Sequence, residues 1–222
     1  MAGKEQVSTA PGFDRLAPVY SGLEYLLSGP LLQRVRRDAV GALRPGDRVL
    51  FLGEGNGRAL TRALQTGRGR GAVIVDGSSA LLRRARERVR RLPHAAALTW
   101  LQADLETGDL HGLAPCDTCL TCFCLDCFPA DNLGAVIRRV DKHLKPDARW
   151  VVADFVEPPA PRGWRHWGLR GLYAFFRRTT GIGVDRVVDP APALEALGYR
   201  RRWTRDRANG WLRTTVWARE TG

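Results

Sequence analysis

The sequence predicts one α/β domain, in which a mostly parallel sheet carries helices on both faces. A short apolar run over residues 49–52 is typical of a buried strand, and helical spacing follows over residues 58–64. A second apolar run, over residues 72–75, has the same character and ends at Asp76. Strands that alternate with helices in this way pair in parallel. The chain has 222 residues, which is enough for a single domain with a sizeable core.

The loop between the first strand and the first helix carries three glycines at alternate positions, Gly53, Gly55 and Gly57. Glycine adopts positive φ angles and lets the backbone pass close to a ligand. The helix that follows presents unpaired backbone N–H groups at its start. Asp76 is expected at the tip of the neighbouring strand, where a carboxylate can accept hydrogen bonds from both hydroxyls of a ribose. The loop and the acid together predict a cofactor that contains adenosine.

The spacing of the glycines separates two kinds of cofactor. Dinucleotide sites use G-x-G-x-x-G, whereas this chain has G-x-G-x-G and places Arg58 where the third glycine would fall. The pattern resembles motif I of the class I S-adenosylmethionine-dependent methyltransferases, whose cofactor has no pyrophosphate. That family usually has an acid two residues before the first glycine, and this chain has Phe51 there. We expect Glu54, inside the loop, to approach the methionine ammonium group instead.

Further segments resemble the later motifs of this family in the expected order, over roughly residues 45–220. Ser78, shortly after the acid, is a reasonable N-cap for a helix that runs to about Arg91. Residues 98–105 resemble the third motif, in which Asp104 meets the adenine amino group and its neighbours flank the ring. Residues 118–125 and 149–155 resemble the fourth and fifth strands, and the tail resembles a closing antiparallel hairpin. The cofactor-binding residues that the resemblance implies are Gly53, Glu54, Gly55, Gly57, Asp76, Gly77, Ser78, Ala103, Asp104, Leu105 and Cys122.

The resemblance implies a Rossmann-like, doubly wound, seven-stranded sheet of order 3-2-1-4-5-7-6, with the last strand antiparallel and helices on both faces. It also implies S-adenosylmethionine as the methyl donor and S-adenosylhomocysteine as the product. We expect the single domain to divide into an N-terminal helical cap (1–44), a cofactor-binding core (45–156), a lid insertion (157–188), and a last helix with the closing hairpin (189–222).

The N-terminal stretch over residues 12–26 is similar to that of the ubiquinone/menaquinone biosynthesis C-methyltransferases. In that family the segment folds over the cofactor, with a tyrosine near the methyl group. Tyr20 matches this tyrosine, while Ser21 stands where an aspartate is usual. Tyr20 and Tyr25 alternatively pack on the sheet as residues of an amphipathic helix.

The lid insertion combines aromatic residues on one helical face with arginines on either side. Such a helix can close an apolar pocket, pack on the sheet, or lie on an anionic membrane surface. His166 lies within it, as an acid/base group or as a surface histidine. The predicted substrate-contacting residues are Tyr20, Tyr25, Phe123, Trp164, Trp167 and Tyr173.

Asp126 follows the fourth strand, at the edge of the sheet where doubly wound folds bind their ligands. It can orient or deprotonate a methyl acceptor. Alternatively, it caps the helix that we expect over residues 129–144. The predicted catalytic candidates are Asp126, His166 and Tyr20.

All five cysteines lie within residues 116–127, at a spacing that resembles a metal or iron–sulfur box. The fourth strand passes through them, and side chains on a strand alternate between faces. Cys122 and Cys124 would share one face, with Cys119 and Phe123 on the other, so this strand cannot wrap four thiolates around one ion. We therefore expect core packing and no metal. Arsenite methylation ranks lower because its thiols would have to come from separate loops.

The net charge is +12, and nearly all the positive charge is arginine. Residues 162–207 contain eleven arginines and four acids. The arginine-rich segment is compatible with a solvated surface, with contact to an anionic membrane, or with an acidic substrate. It contains no nucleic-acid-binding motif. No apolar run approaches the ~18 residues of a membrane span. The first residues lack the apolar core of a signal peptide, so we expect a cytoplasmic protein.

These observations predict an enzyme that transfers a methyl group from S-adenosylmethionine to an oxygen, nitrogen or carbon atom of a small apolar or aromatic molecule. Two alternatives share the fold: a phospholipid or prenyl-lipid methyltransferase at a membrane surface, and a catalytically silent subunit that binds a partner protein. A redox protein built on the cysteines is a third class. A monomer and a homodimer are both compatible with the sequence.

Overall fold

The computed structural model describes residues 30–110, 112–156 and 187–219. Its strands are β1 (Val49–Leu52), β2 (Val73–Asp76), β3 (Thr99–Gln102), β4 (Cys116–Cys122), β5 (Leu144–Phe155), β6 (Tyr199–Arg207) and β7 (Leu212–Arg219). Its helices are α1, which covers residues 30–41, α2 (Arg58–Gln65), α3 (Ser79–Val89), α4 (Ala130–Asp141) and α5 (Ala191–Ala196). In the described ranges, none of the helices has the length and hydrophobicity of a membrane span.

The strands form one sheet in the order β3-β2-β1-β4-β5-β7-β6. Strands β1 to β5 pair in parallel, and β7 is antiparallel to both of its neighbours. The predicted strand order and the antiparallel last strand are therefore confirmed. The connection after β1 leads to a strand on one side of the β1–β4 pair, and the connection after β4 leads to a strand on the other side. A crevice therefore opens at the carboxyl ends of β1 and β4, where doubly wound sheets bind ligands.

The core consists of two layers, one on each face of the sheet. Strands β1 and β2 are buried along their whole length, as expected for parallel strands covered on both faces. Leu50 and Leu52 pack on the side of α4 and α5, while Val49 and Phe51 pack on the side of α1 and α2. Burial of one such large apolar side chain stabilises the fold by roughly 1.5–3 kcal/mol.

Element boundaries around α4 differ from the sequence prediction. The helix expected over residues 129–144 ends at Asp141, and Leu144 instead begins β5, where it pairs with Cys116. The pairing register shifts between Cys116 and Thr118, so β5 continues through Pro146 in spite of the missing N–H of proline. β4 also starts and ends earlier than predicted, because it covers Cys116–Cys122 instead of residues 118–125. The lid insertion up to residue 186 and the cap up to residue 29 lie outside the described residues.

Candidate active site

Asp76 joins the glycine loop to the tip of β2. Its Oδ2 accepts a hydrogen bond from the Gly55 backbone N–H at 2.8 Å, and its Oδ1 accepts one from the Ser78 N–H at 2.9 Å. The side chain is buried, with 7% of the residue exposed. Each carboxylate oxygen has two lone pairs, so these bonds are compatible with further acceptance from ribose hydroxyls. Asp76 thus holds the glycine loop next to the place expected for the nucleoside.

The glycines of the loop have different surroundings. A Cβ on Gly53 would lie 2.2 Å from the Cys124 Sγ, and a Cβ on Gly57 would lie 2.9 Å from the Ala85 Cα. A Cβ on Gly55 would meet no atom within 4 Å. Gly53 and Gly57 are therefore required by packing inside the protein. Gly55 borders open space, as a position against a ligand requires.

Glu54 lies in the glycine loop, and its side chain reaches the start of α2. Its Oε1 accepts a hydrogen bond from the Leu60 N–H at 3.0 Å, which satisfies one of the unpaired donors in the first turn of the helix. Burial raises the pKa of Glu54 from 4.5 to about 7, against the opposing effects of the Leu60 N–H and the Arg36 guanidinium. The expected contact with the methionine ammonium group stays a prediction. A bound cation there would lower the pKa again.

The residues after β3 lie against the same region. The Ala103 N–H donates to the Asp76 carbonyl oxygen at 3.1 Å, and both Ala103 and Leu105 are buried. The Asp104 Oδ1 accepts from the Glu106 N–H at 2.8 Å, which holds this carboxylate at the end of β3. Ser78 caps α3 as predicted, because its Oγ accepts from the Leu81 N–H at 3.1 Å. Gly77 lies between the acid and the cap, and its carbonyl oxygen accepts from the Gln102 amide at 3.4 Å.

The predicted alternation of side chains holds as far as Cys122 and is wrong from Phe123 onward. Cys122 and Phe123 both pack on the side of α1 and α2, whereas Cys119 and Cys124 pack on the side of α4. The reason is that β4 ends at Cys122, and Phe123 has a φ of 58°, which breaks the two-residue period of a strand. The Phe123 ring lies 5.1 Å from the Arg36 guanidinium and 5.4 Å from the Phe155 ring.

The five cysteines are free thiols, and burial is the main cause that raises the pKa of each one. Neutral thiols are poor nucleophiles and poor metal ligands. Within the described ranges, no group of three or more His, Cys, Asp or Glu residues has an arrangement that could hold a metal ion. Cys116, Cys119, Cys122 and Cys124 are buried, as the prediction of core packing requires.

A pair of buried carboxyl groups occupies the carboxyl ends of β4 and β5. The Asp126 N–H donates to the Asp154 Oδ2 at 3.2 Å, and the side chains of the two residues are also hydrogen-bonded to each other. The exposed fractions are 6% for Asp126 and 7% for Asp154. Burial and the neighbouring Asp126 raise the pKa of Asp154 well above its usual range. Two carboxyl groups in such contact share a proton, because both cannot readily ionise.

The capping interpretation of Asp126 does not match its position. The N-cap residue of α4 is Pro129, and Asp126 lies in the preceding 3-10 turn, Leu125–Cys127. The Cys127 Sγ donates to the Asp126 Oδ1 at 3.6 Å. Sequence reasoning missed Asp154, although an acid directly after the apolar run of residues 150–153 was a visible signal.

The carboxyl pair lies near Asp76 on one side, and its member Asp154 borders a cavity on the other. The Cys124 thiol lies close enough to Asp76, Asp126 and Asp154 for all three to raise its pKa, after burial as the largest cause. On the other side, a cavity of about 200 Å³ is lined by Asp154 and by Trp217, among others. The Trp217 Nε1 is buried and has no hydrogen-bond partner in the described part of the chain. This cavity is the candidate site for a methyl acceptor.

The remaining candidates from the sequence lie outside the described residues, and their roles stay predictions. They are Tyr20, Tyr25, Trp164, His166, Trp167 and Tyr173.

The strand order, the loop held by Asp76 and the acids at the carboxyl ends of β4 and β5 are those expected of an α/β enzyme that binds a nucleoside at the switch point of its sheet. Residues 49–147 match a family model described as a methyltransferase domain. The chain is 32% identical over 196 residues to the 2-phytyl-1,4-naphtoquinone methyltransferase of Synechococcus elongatus, across 82% of this chain and 73% of that protein. It is 33% identical over 192 residues to the ubiquinone/menaquinone biosynthesis C-methyltransferase of Syntrophotalea carbinolica, across 85% and 76% of the two chains.

Solved structures share the fold at lower identity. The mitomycin 7-O-methyltransferase superposes with a TM-score of 0.72 at 19% identity, over 97% of this chain and 62% of that one. The 1,6-didemethyltoxoflavin-N1-methyltransferase of Burkholderia thailandensis, solved with S-adenosylhomocysteine, gives 0.66 at 19% identity, over 100% and 92%. The chain belongs to the class I S-adenosylmethionine-dependent methyltransferases, and S-adenosylmethionine is its cofactor.

Proposed function

We propose that this methyltransferase acts on a small apolar or aromatic molecule whose accepting atom is activated by loss of a proton. The observation that carries the proposal is the buried pair Asp126 and Asp154, of which Asp154 lines the cavity at the end of β5. The relatives support an aromatic acceptor, since one of them is named for a naphthoquinone carrying a phytyl group. A quinol or a phenol has the acidic O–H that such a pair can remove.

The cofactor half of the site consists of groups that the glycine loop and the strand tips hold in place. Asp76 would accept hydrogen bonds from the ribose, Gly55 would lie along the ligand, and Asp104 would meet the adenine amino group. When bound, S-adenosylmethionine supplies an electrophilic methyl group. The protein's task is then to hold the acceptor atom about 3–3.5 Å from that carbon, in line with the leaving sulfur, and to exclude water.

The carboxyl pair gives the site a proton acceptor in an apolar setting. With one proton shared between Asp126 and Asp154, the ionised carboxylate can take the proton of the acceptor O–H as the oxygen attacks. In C-methylation the same removal leaves an enolate, whose ring carbon is then the nucleophile. Phe123 and Phe155 lie together at this edge of the sheet and help to exclude water. The pair titrates as a unit, so its two protonation steps belong to both residues.

The test is methyl transfer to a panel of quinols and phenols, measured by S-adenosylhomocysteine release. Asp126→Asn and Asp154→Asn are each expected to lower kcat by about 100- to 10,000-fold, the range of general base catalysis. Asp131→Asn, an exposed aspartate on α4, is the matched control and should retain activity. Full activity in both Asn variants would exclude the carboxyl pair from the reaction. Absence of turnover in the wild type, with S-adenosylmethionine bound, would instead favour the silent subunit.

A prenyl-lipid acceptor presented at a membrane surface is the second candidate, favoured by the phytyl group in the relative's named substrate. Its test compares a short-chain naphthoquinol in solution with the phytylated quinol in anionic vesicles. Activity only in vesicles would support the membrane-surface enzyme. Equal kcat/KM for both substrates would support a soluble acceptor. The cytoplasmic location expected from the sequence remains part of this proposal.

A further inference from the structure

A groove of about 490 Å³ lies between α1, α2 and the last turn of α3, on the face of the sheet opposite α4. Its volume falls in the range of roughly 300–1,000 Å³ that is usual for small-molecule sites. Among the described residues that line it there is no carboxylate. The arginines that line it, which we call the arginine groove, are Arg34, Arg36, Arg37, Arg58, Arg62 and Arg88.

Neutral oxygen atoms help to hold three of these arginines in place. The Arg88 Nε donates to the Asn56 carbonyl oxygen at 2.8 Å. With its amide turned to satisfy both neighbours, the Gln33 oxygen accepts from Arg58 at 3.2 Å and from Arg36 at 3.0 Å. These contacts orient guanidinium groups without removing their charge. Arg36 is also 7% exposed and stacks on Phe123, so its position is fixed by packing.

The outer arginines of the groove are exposed at its mouth. Arg34, Arg37 and Arg62 form no ion pair with any carboxylate in the described ranges. Like charges gathered in one concave surface raise the local positive potential and favour the arrival of an anion.

Three arginines on the β6 and β7 side of the sheet form ion pairs with acids. Asp38 binds Arg205 and Arg207 at 3.0 and 2.7 Å, and Asp206 binds Arg213 at 2.7 Å. Among the described residues, these arginines are paired with acids, whereas the residues that line the groove include no carboxylate. The Arg36 guanidinium also acts on the buried Glu54, whose pKa it lowers.

We infer that the arginine groove binds a phosphate-bearing anion. The guanidinium group is a planar fork that donates two parallel hydrogen bonds to phosphate oxygens, and several forks around one cavity suit a ligand with more than one phosphate oxygen exposed. The phosphate belongs either to a free phosphate ester or to the headgroup of an anionic phospholipid. The inference goes beyond methyl transfer and does not depend on the identity of the acceptor.

The experiment uses the full chain and a variant that removes the outer charges, Arg34→Gln, Arg37→Gln and Arg62→Gln together. A control variant, Arg83→Gln, Arg138→Gln and Arg202→Gln, removes three exposed charges outside the groove. Circular dichroism and thermal unfolding establish that both variants fold. The probe is inorganic pyrophosphate, titrated calorimetrically at constant ionic strength so that screening does not change. No methyl donor is present, so the result is independent of catalysis.

We expect saturable binding of pyrophosphate by the wild type and by the control variant. The groove variant should bind pyrophosphate with an affinity about tenfold lower. Flotation with phosphatidylglycerol vesicles, against phosphatidylcholine vesicles, distinguishes the two sources of phosphate. If flotation with phosphatidylglycerol vesicles depends on the outer arginines, the inference is supported and the ligand is a lipid headgroup. If only pyrophosphate binds, the inference is supported and the ligand is a soluble phosphate ester. The inference is overturned if neither probe binds, or if both variants lose the same affinity.

Discussion

The Asp126 N–H donates to the Asp154 Oδ2 at 3.2 Å, although 28 residues separate the two in the sequence. This contact brings together the ends of β4 and β5 and places two acids in a site from which water is largely excluded. Burial and the neighbouring carboxyl group both raise the pKa of Asp154. Such a group holds its proton at a pH where an ordinary aspartate has lost it, and this is a common property of acids that take part in catalysis.

Asp154→Asn is expected to stabilise the protein at neutral pH while it lowers methyl transfer. The folded state holds the Asp154 proton more tightly than the unfolded state does. The contribution of this residue to stability is therefore fully present below the unfolded pKa and is lost as pH rises through the raised folded pKa. Thermal unfolding of wild type and variant between pH 4 and pH 8 should show curves that diverge with rising pH, with the variant more stable.

Asp131→Asn supplies the comparison for that measurement, because Asp131 is exposed on α4. Its unfolding curve should follow that of the wild type across the same pH range. A variant at Asp154 that loses the same stability at every pH would indicate a structural role that does not depend on ionisation, and it would contradict the shared proton.

Asp76→Ala is expected to weaken S-adenosylhomocysteine binding at least tenfold and to reduce the free energy of unfolding by about 1–3 kcal/mol. The substitution leaves the Gly55 and Ser78 N–H groups without their carboxylate acceptor, and it removes the group expected to bind the ribose. Calorimetry and urea unfolding measure the two effects separately. Asp147→Ala, at an exposed position, should change neither. Loss of stability with unchanged affinity would assign Asp76 to the loop alone.

Glu54→Gln tests the expected contact with the methionine ammonium group. The pKa of Glu54 is raised from 4.5 to about 7, so the carboxylate becomes predominant only as pH rises through 7. If it binds the ammonium group, wild-type affinity for S-adenosylmethionine should increase between pH 6 and pH 8, and the variant should show weaker and flatter binding. Glutamine retains an oxygen for the Leu60 N–H, so the start of α2 should keep its cap.

The pH dependence of stability provides a second readout for the same residue. A raised folded pKa means that the contribution of Glu54 is full below pH 4.5 and is lost as pH rises through about 7. The glutamine variant should therefore be at least as stable as the wild type at pH 8. Identical affinities at every pH would reject the ammonium contact and leave Glu54 as a helix cap.

Much of the fold could be predicted because its signals are local. The runs that form β1 and β2 are apolar along their whole length, and the glycine loop and Asp76 stand at their ends. Ser78 was recognisable as an N-cap because the capping residue and the helix it serves are adjacent in sequence. The order of strands followed from the family resemblance, since the separate motifs occur in the expected sequence.

The parts that sequence reasoning missed depend on contacts between distant segments or on single backbone angles. Asp126 and Asp154 meet only because β4 and β5 are neighbours in the sheet. The left-handed φ of Phe123 reverses the faces of the side chains that follow it, and a phenylalanine gives no local sign of this conformation. The arginine groove combines residues from three helices, so its charges are scattered in the sequence.

Gly53 and Gly55 allow the packing and backbone requirements of the loop to be measured separately. Both have left-handed φ angles, of 61° and 63°, so alanine at either position costs about 1–2 kcal/mol for conformation alone. At Gly53 the new Cβ would also lie 2.2 Å from the Cys124 Sγ, whereas at Gly55 it would meet nothing within 4 Å. Gly53→Ala should therefore lower the free energy of unfolding by about 1–3 kcal/mol more than Gly55→Ala, the usual cost of overpacking.

Urea unfolding of the two variants, and of each combined with Cys124→Ala, checks the cause. Removal of the Cys124 thiol should relieve part of the cost of Gly53→Ala and none of the cost of Gly55→Ala, because only the first pair is in contact. S-adenosylhomocysteine affinity should show the opposite order, since a methyl group on Gly55 enters the space expected for the ligand. Equal losses of stability, or no coupling to Cys124, would mean that the loop relaxes away from β4 when its first glycine is replaced.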